Sequence, residues 1–409
     1  MKSPRVLLFV TILLILRSIC AAQQDPKPKN ATAAVLQAFD THNIVIFGEI
    51  HGNKQEYDWL RSLVATPEFA DRVDDIVMEV GNSLYQKSVD RYVAGEDVLM
   101  EQVQKAWRNT VGWIGPPSPV SGWLYKTVRE TNLKRRGKHQ MRVLCGDPSI
   151  DWDKVKTSED IDPYLGNRDE WYTHVVKDEV LVKHHRALLI MGWGHFLRGQ
   201  EETYIEPQLR AAGAKTYFIV FGTNAIGGYD DLDHRFDSWT TPAIVSLAGN
   251  WVGELPAMPV INGGGASGVI TLRNGPGSGA GVPAAAPPPL KLKDAADALL
   301  YLGPRDSLTE ISMSRAELDG TAYGKEIQRR LTIEGFPDDF VDQKGEAPQF
   351  QRPQPDSGPT SPPPHPPAPP KKMSALLPPP ATFPVEVSQR YQVIPRGAQW
   401  KKPMGLGDE

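Results

Sequence analysis

Two histidines in this chain share one signature. Gly48-Glu49-Ile50-His51 and Gly192-Trp193-Gly194-His195 each place a histidine three residues after a glycine, directly behind a short apolar run. Glycine at such a point lets the backbone turn sharply and approach a ligand, and the histidine can then face a cleft. A carboxylate, Glu79, closes another apolar run. His51, Glu79 and His195 together make a three-ligand metal site with a position left open for water. A cation held there supplies hydroxide near neutral pH. Without metal, the same groups serve as a general base and its orienting carboxylate. Glu49 and Asp147 stand where they can tune and position these groups, and Trp193 stands where it can wall a pocket. Plainer readings exist: Glu79 as a helix cap, Asp147-Pro148-Ser149 as a turn, Trp193 as core. Two matching motifs with a carboxylate between them favour the site.

Such groups converge only if the elements behind them form one sheet. Five apolar runs read as buried strands: Asn43–Phe47, Asp75–Glu79, Met141–Cys145, Ala187–Met191 and Thr216–Val220. Their hydrophobicity is continuous, which suits parallel strands covered on both faces. Helical spacing fills the gaps. Tyr57, Leu60 and Val64 share a face, and Val89, Tyr92, Val93, Val98, Val103 and Trp107 form a helical insertion after the second strand. Further helices are expected around Trp123–Glu130, over 167–184 and over Thr203–Ala212, with one continuous helix over Arg315–Leu331. Ala295–Leu302 reads as a late element returning to the core. The alternation predicts an α/β fold with a mainly parallel sheet flanked by helices, spanning about residues 30–340. Ligands of such sheets sit beyond the carboxyl ends of the strands, where every candidate residue falls.

The rest of the sequence bounds the setting. Lys2 and Arg5 precede an apolar stretch from Val6 to Leu16, and Ala21-Ala22 supplies small residues for cleavage. Residues 1–22 are therefore expected to be a secretory signal, giving a periplasmic or secreted protein, or an anchored one if the signal stays uncleaved. Loss of Cys20 leaves Cys145 alone, so no intrachain disulfide forms. The net charge of −4 over 409 residues gives no reason to expect nucleic acid as a partner. Many of the 37 prolines cluster late. Segment 262–289 reads as a Gly/Pro-rich loop. Residues 341–409 read as a disordered or polyproline II tail able to recruit a protein partner.

The motifs also resemble a known superfamily, the one joining the erythromycin esterase-like proteins, the ChaN-like haem-binding lipoproteins and the Tiki/TraB proteins. The resemblance rests on FGEIHG at Phe47–Gly52, MEV at Met78–Val80, NRDEWY at Asn167–Tyr172 and MGWGH at Met191–His195. It covers roughly residues 36–225. The esterase-like branch implies a hydrolytic centre of Glu49, His51 and Glu79, joined by His195. The Tiki/TraB branch implies a metal-dependent peptidase using both Gly-x-x-His motifs and Glu79. The ChaN-like branch implies noncovalent haem or iron binding, since Cys-x-x-Cys-His is absent. Arg168 and Asp169 match the family's Arg-Asp helix start and become secondary candidates. Tyr172 stands where relatives often carry methionine. The expectation is a hydrolase of a small-molecule or peptide ester, lactone or amide, with a haem or iron carrier without turnover as its rival.

Overall fold

The computed structural model describes residues 24–333, apart from 112–116, 167, 200–204, 223–234, 237, 258–259, 261–289 and 305–306. The signal-like segment 1–22, the loop 262–289 and the tail 341–409 lie outside the described residues. Among the described residues, no helix is long and apolar enough to cross a membrane.

Eight strands form one sheet: β1 (Lys29–Asn30), β2 (Ile44–Glu49), β3 (Asp75–Asn82), β4 (Arg142–Asp147), β5 (Ala187–Gly192), β6 (Thr216–Phe221), β7 (Ala243–Ser246) and β8 (Ala298–Tyr301). Their order is β1-β7-β8-β6-β2-β5-β3-β4. The five expected runs are its parallel centre, from β6 to β4. The late apolar element supplies β8, parallel to β6, while β7 and β1 add an antiparallel margin. Neither β7 nor β1 was expected. Four and two residues are too short to show a period.

Continuous hydrophobicity has the expected cause. Val45, Phe47, Ile76, Met78, Leu188 and Ile190 feed one apolar cluster, and Ile44, Ile46, Val77 and Leu189 feed a second. Helices Ala31–Ala38, Lys54–Val64, Gln86–Val93 and Val120–Lys134 contribute to the first cluster. Helices Arg168–Val176 and Ile205–Ala211 contribute to the second. Each fully buried aliphatic side chain contributes roughly 1.5–3 kcal/mol, so neither face tolerates a polar residue cheaply. The helical insertion lies between β3 and β4, as expected. The expected helix over Arg315–Leu331 is instead two, Arg315–Leu318 and Ala322–Ile333. Gly320 separates them at φ +69°, a left-handed conformation that glycine accepts readily and that ends a helix.

One placement governs the site. β5 inserts between β2 and β3, with Glu49 opposite Gly192 and Met78 opposite Ile190. The ends of these three strands are therefore neighbours although their sequences are far apart.

β4 closes one margin of the sheet, and an open margin invites pairing with another chain. The Gln86 side chain occupies part of it. Its Nε2 donates to Val143 O at 2.8 Å, and its Oε1 accepts from Cys145 N at 2.7 Å. Gln86→Ala is expected to lower stability by about 1–3 kcal/mol and to raise self-association. Thermal melts and light scattering measure both; unchanged behaviour in both would show that the amide does not protect this margin.

Candidate functional site

The first motif starts inside β2. Glu49 is its last residue, and the chain then turns through Ile50-His51-Gly52 into helix Lys54–Val64. Gly52 lies at φ +84°, which side-chain-bearing residues adopt only with strain. Asn53 caps the helix by accepting from Glu56 N at 3.0 Å, and the Glu56 carboxylate reaches back to Ile50 N at 3.0 Å. A segment far along the chain holds this turn from outside. Ile311 N donates to Gly52 O and Lys54 N to Thr309 O, both at 2.8 Å.

Glu79 is placed by an irregularity. β3 pairs with β4 at Met78–Cys145 and next at Asn82–Asp147, so three residues of β3 face one of β4. Such a bulge re-aims a side chain. The Glu79 carboxylate turns toward β5 and accepts from Gly192 N at 2.7 Å through Oε2. Arg168 Nη2 donates to its Oε1 at 2.8 Å. His51 Nε2 faces Oε2 and His195 Nε2 faces Oε1, each at 3.7 Å. Glu79 thus stands between both imidazoles of the Gly-x-x-His motifs.

Each imidazole has its own carboxylate behind it. His51 Nδ1 meets Glu49 Oε1 at 2.9 Å, and His195 Nδ1 meets Asp169 Oδ1 at 2.7 Å. With Nδ1–H donated to a carboxylate, Nε2 is the atom presented to the pocket. The adjacent Arg168 spans two acids, with Nε on Asp147 Oδ1 at 2.8 Å and Nη2 on Glu79. Asp147 is held in turn by Val111 N at 2.6 Å. Successive residues at the start of helix Arg168–Val176 therefore fix both sides of Glu79. Trp193 is half-buried against the second apolar cluster, its backbone tight on Gly48, where an added Cβ would lie 2.9 Å from Trp193 Cα.

Electrostatics follow from this packing. Burial works against charge on His51, but Glu79 and Glu49 outweigh it and push its pKa up to about 9. Burial also opposes ionisation of Glu79, yet His51, Arg168 and His195 hold that carboxyl well below the usual range. Burial raises the Asp147 carboxyl despite Arg168. Glu56 is pushed well up, first by burial and then by the charge of Glu49. The buried Cys145 thiol is likewise raised by burial, which leaves it inert. The carboxylates of Glu49 and Glu79 are 1 % and 5 % exposed, whereas His51 and His195 are 20 % and 29 % exposed. Solvent therefore reaches the imidazoles before the carboxylates.

The residues also suit a cation. Glu49, His51 and Glu79 each offer one ligand atom, all within 4.8 Å of one another, the one such group among the described residues. The expected trio had His195 in place of Glu49; His195 lies against Glu79 from its other oxygen. The Glu49 carboxylate is buried, with the His51 ring on one oxygen and the Tyr57 hydroxyl facing it, and a cation would offset the cost of burying its charge. Two ligand atoms about 2.1 Å from one tetrahedral ion stand roughly 3.4 Å apart, close to the 3.7 Å between His51 Nε2 and Glu79 Oε2.

The structure thus brings together His51, Glu79, His195, Glu49, Arg168, Asp169 and Asp147. Two contributors were not foreseen, Glu56 and the segment 309–311, and Gly192 does more than expected. Glu56 had a local signal, since Asn53-x-x-Glu56 is a capping pattern. Gly192 matters for space as well as turning: an added Cβ would lie 2.9 Å from His51 Nε2 and 3.6 Å from Glu79 Oε2. The 309–311 segment had no signal, because it acts across some 250 residues of chain.

Comparison with known proteins gives distant likenesses. No family model matches the chain, and no curated protein does. Among solved structures, the type III effector HopBA1 is 14% identical with a TM-score of 0.32, over 50% of this chain and 90% of its own. A protein from Bacillus cereus is 14% identical with a TM-score of 0.40, over 68% and 95%. ChaN of Campylobacter jejuni, described for cofacial haem binding, is 10% identical with a TM-score of 0.29, over 46% and 85%.

Two outcomes follow from the geometry. Gly192 has φ −49° and ψ 133°, which alanine adopts freely, so Gly192→Ala is expected to fold while displacing His51 from Glu79. A crystal structure of the variant checks this, and an unmoved His51 would show that the space is not needed. The second outcome concerns pH. A pKa raised from 6.5 to about 9 on folding gives stability that is fully present below about pH 6.5 and is lost as pH rises through about 9. Urea unfolding with chelator should show that decline, flattened in His51→Gln; equal profiles would remove the ion pair from the account.

Proposed function

We propose that this site activates water for hydrolysis of an ester, lactone or amide. The observation that carries the reading is the convergence of Glu49, His51 and Glu79 beside His195, with both acids buried. Glu49, His51 and Glu79 would hold a divalent cation, which would supply a water whose pKa is lowered toward neutrality.

The chain's own groups divide the remaining work. In the ion-free site Glu49 accepts the Nδ1 proton of His51 and aims Nε2 toward Glu79. Arg168 and Gly192 N fix the Glu79 carboxylate in one orientation. His195, oriented by Asp169, stands across Glu79 and is the side chain nearest to hand for an oxygen that gains charge as the carbonyl is attacked. In the ion-free site His51 is protonated at neutral pH, so it donates rather than accepts there. A general-base role requires that proton to have left.

Turnover of an ester and lactone panel, measured beside metal content, tests this. His51→Ala and Glu79→Gln are each expected to lower kcat/KM about a hundredfold or more and to empty the purified protein of metal. Unchanged turnover in both variants would end the hydrolase reading. A Soret band on haem titration that is lost in His51→Ala or His195→Ala, with no turnover in the unsubstituted protein, would replace it with a haem carrier.

A further inference from the structure

Arg330 lies in helix Ala322–Ile333, far along the chain from every residue of the site, yet its side chain is 1 % exposed. A guanidinium buried so deeply needs partners for its charge and donors. Nε donates to Glu326 Oε1 at 2.8 Å, Nη1 to Arg108 O at 3.1 Å and Nη2 to Asn109 Oδ1 at 2.7 Å. The guanidinium carbon sits 4.4 Å from the centre of the Trp152 ring. Apart from Glu326, these partners belong to the segments flanking Asp147.

Hydrogen bonds continue from there to the pocket. The Asn109 carbonyl accepts from Asn82 Nδ2 at 2.8 Å and from Trp152 Nε1 at 3.0 Å. Asn82 ends β3, three residues beyond Glu79, and stands opposite Asp147. Two residues past Asn109, Val111 N donates to Asp147 Oδ2; Asp147 holds Arg168, and Arg168 holds Glu79. Ile333, at the end of the same helix, packs on the small apolar cluster of Val111, Ile150 and Trp152.

We propose that Arg330 is a positioning residue: by fixing the segment 108–111 it keeps Asp147, and through it the Arg168–Glu79 pair, in place. A purely structural arginine would only dock its helix. A positioning arginine controls two reporters inside the site, the amide of Val111 on Asp147 and the amide of Gly192 on Glu79. The role belongs to the same site as the proposed hydrolysis but holds whatever ligand the site takes.

Residue-resolved hydrogen exchange on the full chain separates the two roles. In Arg330→Met, the Val111 and Gly192 amides should exchange at least about tenfold faster, while Val45 and Leu189 in the sheet centre keep their rates. Asn109→Ala should act in the same direction. It leaves Arg330 with Glu326 and Arg108 O, and it decides the matter if Arg330→Met does not fold. Arg330→Lys should not restore protection, because one ammonium cannot span both acceptors. Unchanged exchange at both reporters, or equal acceleration at all amides, would overturn the role. In parallel, Co²⁺ titration should give about tenfold weaker binding in Arg330→Met. If the unsubstituted protein fails to bind Co²⁺, the cation part of the proposed function falls, and the exchange rates still decide the role of Arg330.

Discussion

A buried carboxylate is the constraint around which this molecule is built. Taking Glu79 out of water costs several kcal/mol unless charge and hydrogen bonds replace the lost hydration. The replacement comes from four directions: the Gly192 amide, the Arg168 guanidinium and two imidazoles. Each supplier needs its own support. β5 must lie between β2 and β3 for Gly192 to reach Glu79. β3 must bulge for the carboxylate to leave the ladder and point there. Arg168 must be held by a second acid, Asp147. Removing one supplier leaves an under-compensated charge, so the fold and the site are not separable designs.

The same arrangement decides which groups are available for chemistry. Both imidazoles have their Nδ1 side occupied by a carboxylate, so only Nε2 remains toward the pocket. Glu79 sits between the two Nε2 atoms at distances too long for hydrogen bonds and short enough for strong attraction. A gap of 3.7 Å is of the size an ion held by both atoms fills. Glu49 adds a second acid on the His51 side, as Asp169 does on the His195 side. Each histidine lies between two carboxylates, and the two differ in exposure, His195 being the more open.

Much of this was legible because it is local. A glycine and a histidine three residues apart behind an apolar run report a strand end and a turn, and both are settled within one peptide segment. The five central strands were readable for the same reason, since burial on both faces leaves an uninterrupted apolar run. Legibility failed where partners are distant or elements short. β7 at four residues and β1 at two carry too little pattern. The helix expected over Arg315–Leu331 was read through Gly320, whose left-handed backbone breaks it. The tight ligand cluster contains Glu49 rather than His195, because strand order and bulge position, not spacing, decide which side chains approach most closely. The clasp of 309–311 on Gly52 and the chain of bonds from Arg330 join residues more than 200 positions apart, and no periodicity records them.

Glu79 governs the charge of the His51 ring beside it. Nitrogen-15 NMR titration of the His51 ring in metal-free protein, compared with Glu79→Gln, addresses it directly. His51 is expected to keep its proton to about pH 9, and in the variant to lose it at a pH lower by about one unit or more. A His51 ring that titrates near its ordinary value in the unsubstituted protein, or at the same pH in both, would contradict it.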